Sequence, residues 1–239
     1  MIAARFQSKS KCAATKMNAD PILEKWSYIA QSPQSEIIVP DGCRDLILLE
    51  REGHRPSVIV SELDDKSRRL DVFRGDHFLG LRLLPGTRVK PNLPSALLEN
   101  AIRSAKPDVI RELVMLEPQL IEALAALEKA DNTAAAAANI GVSTRTLQRY
   151  VACNTNRTPS WWRRLARVRS AAKSLASTDL NAIRLADFAD ARGFSDQAHM
   201  TREFRHWLGV TPARLLRNPL IFNVLEGKGY GDNRHTGWG

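Results

Sequence analysis

The sequence predicts an α+β protein, in which a β-rich N-terminal domain precedes an all-α C-terminal domain. Short apolar runs separated by turn residues occupy residues 36–85, and helical periodicity begins at Leu93. Residues 133–218 hold fourteen basic and five acidic side chains, so the net charge of this segment, +9, equals that of the whole chain. Because a charge excess confined to one segment indicates a separate module, we expect two domains.

Composition excludes several classes of protein. The 239 residues are 44% hydrophobic and 26% charged, as in globular domains, and no apolar run approaches the roughly 18 residues of a membrane span. The three widely spaced cysteines, Cys12, Cys43 and Cys153, argue against a disulfide scaffold and favour a reducing compartment such as the cytoplasm. The positive net charge indicates a polyanionic partner, either nucleic acid or a membrane surface.

The two ends of the chain differ from its middle. Residues 1–19 are basic and precede the first acidic residue, Asp20, which predicts a flexible extension, with a transit peptide as the alternative. Residues 219–239 are rich in glycine and polar side chains and predict a disordered tail. Between them we expect a β-rich domain at 20–105, connecting helices at 106–130 and the basic module at 131–218.

Local patterns predict the elements of both halves. Turn residues at 40–42, 52–54, 64–66 and 74–76 separate the apolar runs, which favours an antiparallel sheet. The predicted strands lie at 37–39, 46–49, 58–60, 70–73 and 78–81. The predicted helix faces after Leu93 are Leu97, Leu98, Ala101 and Ile102; Ile110, Leu113 and Val114; and Leu120, Ile121, Leu124 and Leu127.

A duplication lies inside the basic module. Residues 137–143 and 189–195 both have the form A-x-x-x-G-(V/F)-S, shifted by 52, whereas the Thr-Pro pairs that follow are shifted by 53. We expect Gly141 and Gly193 to end one helix in the left-handed conformation, and Ser143 and Ser195 to cap the next. Helix, tight turn and helix form the helix-turn-helix motif, whose second helix enters the major groove of DNA.

A single copy of this pattern would also fit a helical hairpin that binds no ligand. Two copies inside the basic segment favour binding of double-stranded DNA.

The strings 188–197, 201–204 and 209–212 resemble the signature of the AraC/XylS family of bacterial transcription regulators. The first copy, with Ser143, 147–149 and Pro159, resembles that family's first unit, although Asn156 replaces a usual glycine. The resemblance covers about residues 131–217. It implies seven helices, with two helix-turn-helix units joined by a linker helix from about Ser160 to Ala176.

The side chains that would meet DNA follow from helical spacing and from the resemblance. Leu147 and Val151 should face the core of the first unit, and Met200 and Phe204 that of the second. Arginine pairs with guanine and glutamine with adenine at base edges. The predicted base-reading residues are Arg145, Gln148, Arg149, Gln197, Thr201 and Arg202. The predicted phosphate-contacting residues are Thr144, Arg163, Arg164, Lys173, Ala198 and Arg205.

Two further points concern the linker helix. Arg169 is expected, like its basic neighbours, to meet phosphates or solvent. Trp161 and Trp162 are adjacent and cannot both face one core, so one should pack between the units and the other near the surface.

The strings 39–47 and 80–86 resemble an N-terminal domain of uncharacterised role that accompanies some AraC-type regulators, which implies sensing or assembly. Asp41, Cys43 and Asp45 alternate, and His54 and His77 could converge on them, so Cys43 is a candidate sensor. A turn followed by a half-buried cysteine explains the same residues. Zinc-type ligand spacing, P-loops and Rossmann glycine patterns are absent from the sequence, so neither a metal, a cofactor nor catalytic residues are predicted.

The sequence thus predicts a transcription regulator and not an enzyme. Double-stranded DNA is the predicted partner, together with RNA polymerase, and no membrane is expected; a small-molecule effector and a homodimer are left open. One alternative is an enzyme or a thiol or metal damage sensor in the N-terminal domain, targeted to DNA by the C-terminal domain. Another is a constitutive architectural DNA-binding protein.

Overall fold

The structure is a computed structural model that describes residues 20–176, 184–215, 217, 225 and 227–232. The predicted extension at 1–19 lies outside these residues. Strands fill the first half and helices the second, which confirms the predicted α+β class.

The first half contains a four-stranded antiparallel sheet and two separate two-stranded ribbons. The strands are β1 (Ile22–Ile29), β2 (Gln34–Ile38), β3 (Asp45–Glu50), β4 (Ser57–Val60), β5 (Arg68–Val72), β6 (His77–Leu83), β7 (Arg88–Val89) and β8 (Val114–Met115). The sheet has the order β1-β6-β3-β4, and the ribbons are β2-β5 and β7-β8. All five predicted strands overlap observed ones.

The remaining large strand, β1, was not predicted. Its pairing with β6 shifts register between Ile22 and Glu24, so an irregularity interrupts the alternation that marks a strand. Beyond that point Trp26 and Tyr28 do alternate with Lys25 and Ser27.

The helices are α1 (Ser95–Ser104), α2 (Pro107–Leu113), α3 (Pro118–Lys129), α4 (Thr133–Asn139), α5 (Thr144–Thr155), α6 (Pro159–Ala176), α7 (Leu185–Ala191), α8 (Gln197–Leu208) and α9 (Pro212–Leu215). Helices α1 and α2 pack on the sheet face that carries Leu46 and Leu48, both fully buried. The prediction that Val114 continues a helix face is wrong, because α2 ends at Leu113 and Val114 pairs with Val89 in a ribbon.

The second half is built around α6. Among the described residues of 131–217, six helices surround a core that contains Trp162, Leu165 and Val168 of α6, and α3 packs into the same core. The bounds of α6 agree with the linker helix implied by the resemblance. Asn156 ends α5 with a φ of 56°, so asparagine takes the left-handed position where the family has glycine.

The two helix-turn-helix units are built alike, with one difference at the cap. Gly141 and Gly193 have φ values of 69° and 72°, as expected for glycines that end a helix. Ser143 caps α5 by accepting from the backbone N–H of Thr146 at 3.1 Å. The prediction that Ser195 caps α8 is wrong by one residue, because Asp196 accepts from the backbone of His199. This extra turn residue accounts for the repeat shift of 53 instead of 52 beyond the turn.

Residues 227–232 form a segment that differs from the disordered tail predicted for 219–239. Tyr230 is buried, its hydroxyl donates to the carbonyl of Leu124 at 2.7 Å, and its backbone N–H donates to that of Asp41 at 2.7 Å. A Cβ on Gly231 would lie 2.8 Å from Cα of Ala166. The glycines that suggested disorder therefore allow this segment to approach α6 closely.

Candidate nucleic-acid interface

Each helix-turn-helix unit buries one face of its second helix and exposes the other. Leu147 and Val151 of α5 are fully buried, as are Met200 and Phe204 of α8. Because residues three and four positions apart share a face, the side chains between them point outward. Sequence spacing therefore placed the inward faces of both helices where the structure has them.

Five of the six predicted base-reading side chains are exposed: Arg145, Gln148, Arg149, Gln197 and Arg202. Thr201 is half-buried, and its hydroxyl donates to the backbone carbonyl of Gln197 at 2.9 Å. Arg145 and Arg149 make no ion pair with any described carboxylate, so their guanidinium donors point at solvent without a partner there. The two helices thus present donors suited to base edges; the role of each residue stays a prediction.

A two-pronged ion pair fixes α8 on the linker helix. Arg164 of α6 donates to both carboxylate oxygens of Glu203, at 2.8 and 3.0 Å, and its guanidinium lies 5.8 Å from the ring centre of Trp207. Burial alone would raise the pKa of Glu203, but the hydrogen bonds and charge of Arg164 outweigh it and lower that pKa. Glu203 therefore stays charged on the buried side of α8.

The turn of the second unit and the end of α5 are also tied to α6. Arg167 donates to the carbonyl of Gly193 at 2.9 Å and lies 4.9 Å from the ring centre of Phe194. In the first unit, Nε1 of Trp162 donates to the buried hydroxyl of Thr155 at 3.1 Å. Because α6 contacts both units through buried groups, it sets their relative placement.

The predicted phosphate-contacting residues fall into two groups. Ala198 and Arg205 are exposed, and Thr144 is half-buried. The other three have partners within the chain: Arg164 pairs with Glu203, Arg163 donates to the carbonyls of Ala130 and Asp131, and Lys173 pairs with Asp232. A phosphate role for these three stays a prediction.

Arg169 does not meet phosphate or solvent as expected, because it is only 1% exposed. Its guanidinium donates to the carbonyl of Pro40 at 3.3 Å and to that of Gly227 at 3.1 Å, and lies 3.8 Å from a carboxylate oxygen of Asp232. One arginine of α6 thus joins the N-terminal half to the segment 227–232.

The turn at 40–42 docks on the same part of α6. Gly42 has a φ of 75°, and a Cβ there would lie 2.7 Å from Cβ of Tyr230 and 3.1 Å from the side chains of Trp162 and Leu165. Only glycine allows both this backbone conformation and this approach. We call the contact of residues 39–45 and 227–232 with α6 the α6 junction.

Arg82 organises the carboxylates of the junction. It lies 3.1 Å from Asp41 and 3.1 Å from Asp45, and it donates to the carbonyl of Lys228 at 3.1 Å. Burial raises the pKa of Asp41, and the charge of Arg82 opposes that rise. The two strings that stand out in the N-terminal half, at 39–47 and 80–86, therefore meet in space, which sequence spacing did not show.

A second contact joins the halves at the α5–α6 corner. Leu63 is buried in the core of the helical half, and its carbonyl accepts from Arg157 at 2.7 Å. Asp65 pairs with Arg157 at 3.1 Å and accepts from Nε1 of Trp161 at 2.7 Å. Trp162 is buried and Trp161 is half-buried, as the pair was expected to divide.

Cys43 does not have the surroundings of a reactive thiol. It is 5% exposed, and burial, together with the charge of Asp41, raises its pKa well above its usual value. His77 does not converge on it, because His77 pairs with Glu50 at the opposite end of β3 from Asp45. The ring nitrogen Nδ1 of His54 lies 3.0 Å from the carbonyl oxygen of Glu52 in the β3–β4 turn. The two histidines therefore do not converge on Cys43, and the turn followed by a buried cysteine describes this region.

We therefore expect Cys43 to react slowly with a thiol reagent at pH 7.5, while Cys153, which is exposed, reacts rapidly. The measurement is the labelling rate of the folded C12S protein, followed by mass spectrometry of its peptides. Denatured protein is the control, in which both thiols should react alike. Labelling of Cys43 at the rate of Cys153 in folded protein would restore it as a sensor.

Within the described ranges, from residue 20 to 232 with their gaps, no group of three or more His, Cys, Asp and Glu side chains is placed to hold a metal ion. No described helix is long and apolar enough to cross a membrane.

The sequence missed three groups that matter to the site. Glu203, Arg169 and Tyr230 are all buried and polar, although two of these residue types are usually exposed. Glu203 follows the buried Met200 by three positions in α8, so helical spacing was the signal that could have placed it inward.

Comparison with known proteins matches part of the helical half to a family model and finds two similar solved structures. Residues 136–218 match the family model described as a helix-turn-helix domain. ToxT from Vibrio cholerae is similar in structure at 8% identity, with a TM-score of 0.44, over 81% of this chain and 97% of that one. A second structure, of an apo ToxT variant from Vibrio cholerae, gives 10% identity and a TM-score of 0.41, over 81% and 96%. No curated protein sequence matches significantly.

The assignment rests on the domain match and on the paired units around α6, not on these overall structural similarities. Both units show the expected helix, glycine turn and capped second helix. The chain therefore carries a helix-turn-helix domain of the DNA-binding kind at residues 136–218.

Proposed function

We propose that this chain is a cytoplasmic regulator that binds one specific double-stranded DNA site through α5 and α8, under the influence of its N-terminal domain. The observation that carries the proposal is that two exposed recognition faces are held by one helix, α6, through buried contacts. A rigid pair of recognition helices suits two successive major grooves, about 34 Å apart.

Specificity would come from six side chains at base edges. Arg145, Arg149 and Arg202 have the donor fork that fits guanine, while Gln148 and Gln197 suit adenine. Thr201 would add an apolar or hydroxyl contact. Exposed arginines such as Arg205 would contact DNA phosphates, and these contacts would make the affinity for DNA depend on salt concentration.

The N-terminal domain would act as a sensing or assembly unit through α6. It contacts α6 at the junction, through Gly42 and Arg169, and reaches the α5–α6 corner through Leu63. A signal that binds the docked and undocked arrangements with different affinity would therefore shift the placement of the two units. A small-molecule effector, a second copy of the chain or RNA polymerase are the proposed sources or targets of that shift.

The test is selection of bound duplexes from a random pool by the purified full chain, at two salt concentrations. We expect an enriched motif of two blocks about one helical turn apart, roughly 10 base pairs. Enrichment should persist at the higher salt, where contacts to phosphates alone weaken. Recovery of no motif at either concentration would refute site-specific binding and favour an architectural DNA-binding protein.

The same selection, repeated with Arg149→Ala and with Arg202→Ala, assigns the helices. Each variant should lose about 1–3 kcal/mol of binding free energy and should relax preference in one block only, a different block for each. Arg55→Ala, which removes an exposed arginine from the β3–β4 turn, is the matched control and should change neither. Unchanged affinity and base preference in either helix variant would remove that residue from the recognition set.

A further inference from the structure

We propose that a cavity between the β2-β5 ribbon and the second helix-turn-helix unit binds a compact oxyanion, a phosphate or carboxylate group. The cavity has a volume of about 280 Å³ and is lined from both halves of the chain. The second unit contributes the C-terminal end of α8 and part of α9 to its lining, and none of the predicted base-reading residues belongs to that lining.

The ribbon places two arginines and one hydroxyl at the cavity, and one of the two arginines has no carboxylate partner among the described residues. Arg69 pairs across the ribbon with Ile37, which also lines the cavity, so the two side chains share a face. Ser67 is two residues before Arg69 and lies on that same face, by the alternation of a strand. Arg68 also lines the cavity, but its guanidinium is already paired with Asp64 at 3.0 Å.

The second unit supplies the opposite wall. Gly209 ends α8 with a φ of 72°, and a Cβ there would lie 2.6 Å from the hydroxyl of Ser67, so the two halves touch at this point. Leu208 and Val210 are buried and give this wall its apolar part. Arg214 of α9 is exposed and supplies a second guanidinium.

The charge of the cavity has no counter-charge within it. Neither Arg69 nor Arg214 pairs with any carboxylate among the described residues, and no acidic side chain lines the cavity. Guanidinium forks match the paired oxygens of phosphate and carboxylate groups. The composition of the two walls therefore selects an oxyanion.

An oxyanion here would bridge the two halves, with Arg69 on the N-terminal side and Arg214 on the DNA-binding side. Binding would stabilise the docked arrangement, because both guanidiniums face the cavity only while the halves are in contact. This inference names a ligand class for the sensing role, and to that extent it rests on the proposed function. The same chemistry has two sources, a free small molecule or a phosphate of bound DNA.

The experiment uses the full chain and two double variants of equal charge change. R69Q/R214Q removes the guanidiniums of the cavity, and R55Q/R74Q removes two exposed arginines from turns elsewhere. Inorganic phosphate is titrated by calorimetry at constant ionic strength and without DNA, and the salt slope of DNA binding is measured separately. Equal unfolding midpoints confirm that the variants fold, and R69Q alone and R214Q alone serve as milder variants.

If the source is a free oxyanion, phosphate should bind saturably, at least tenfold more weakly to R69Q/R214Q, and unchanged to R55Q/R74Q. If the source is DNA, phosphate binding should be alike in all three proteins, and the salt slope should fall by roughly 0.9 per lost contact in R69Q/R214Q only. No difference between the two double variants in either measurement would overturn the site. Phosphate binding without any selected DNA motif would leave the site standing and refute the proposed function instead.

Discussion

Replacing Arg169 with alanine is expected to lower the free energy of unfolding by about 3–5 kcal/mol, because one member of a buried charged network disappears while the others remain. Asp232 is buried beside it, the carbonyl of Pro40 would lose its donor, and the carbonyl of Gly227 would keep only the longer contact with Lys173, at 3.4 Å. Lys173 and the backbone N–H of Gly229 would remain as partners of the Asp232 carboxylate. The loss should therefore exceed that of a surface substitution several-fold.

Urea unfolding followed by circular dichroism measures this change, with Arg184→Ala as the matched control. Arg184 is 83% exposed on its side chain and, among the described residues, pairs only with Asp187, so its removal should cost less than about 0.5 kcal/mol. A third variant, Arg169→Lys, keeps the charge but not the fork and should fall between the two. A loss below 1 kcal/mol for Arg169→Ala would show that the α6 junction does not stabilise the fold.

The second large effect is expected at Trp162. Its replacement by alanine should lower the free energy of unfolding by about 3–5 kcal/mol, since a fully buried indole would leave a cavity. The ring packs edge-on against Tyr230 at 4.8 Å between centres, and it donates to Thr155. It therefore joins the end of α5, the linker helix and the segment 227–232.

Its neighbour provides the control. Trp161→Ala removes the same side chain from a half-buried site, together with the hydrogen bond to Asp65, and should cost clearly less than Trp162→Ala. Thermal and urea unfolding of both variants give the comparison. Equal losses at the two positions would contradict the assignment of Trp162 to the core and of Trp161 to its edge.

Local features of the DNA-binding module could be predicted from the sequence because they depend on nearest neighbours. The left-handed glycines Gly141 and Gly193 and the cap at Ser143 each act within one turn of a helix. The inward faces of α5 and α8 follow from a period of 3.6 residues. The cap of α8 was displaced by one residue, because two neighbouring side chains, Ser195 and Asp196, can both accept from a helix N-terminus.

Contacts between distant segments could not be predicted in this way. Arg169 and Pro40 are separated by 129 positions, and Tyr230 and Leu124 by 106, so no periodicity relates them. The sequence favours a surface position for Arg169, because arginines are seldom fully buried unless they have partners. The partners that it has in the structure are mostly backbone carbonyls, and sequence spacing does not reveal them. Tyr230 lies among glycines that usually signal disorder and that here allow close packing on α6.

Fewer basic residues of the basic module are free to contact DNA than its net charge of +9 suggests. Of the fourteen basic residues, Arg169 is buried, and those engaged with partners inside the protein are Arg157, Arg163, Arg164, Arg167, Lys173, Arg184 and Arg192. The basic side chains of the linker helix therefore mostly contact carboxylates and carbonyls of the protein itself. The exposed arginines of α5 and α8 are left as the main candidates for nucleic acid.

The α6 junction also imposes an order on biosynthesis. The segment 227–232 follows both helix-turn-helix units in the chain, yet it closes over α6 against the turn at 40–42. A ribosome adds roughly 5–20 residues per second, so the sheet and the first unit emerge seconds before Tyr230 does. Until then Gly42 and Arg169 lack one side of their packing. Closure of the junction must therefore be a late step in the folding of a newly made molecule.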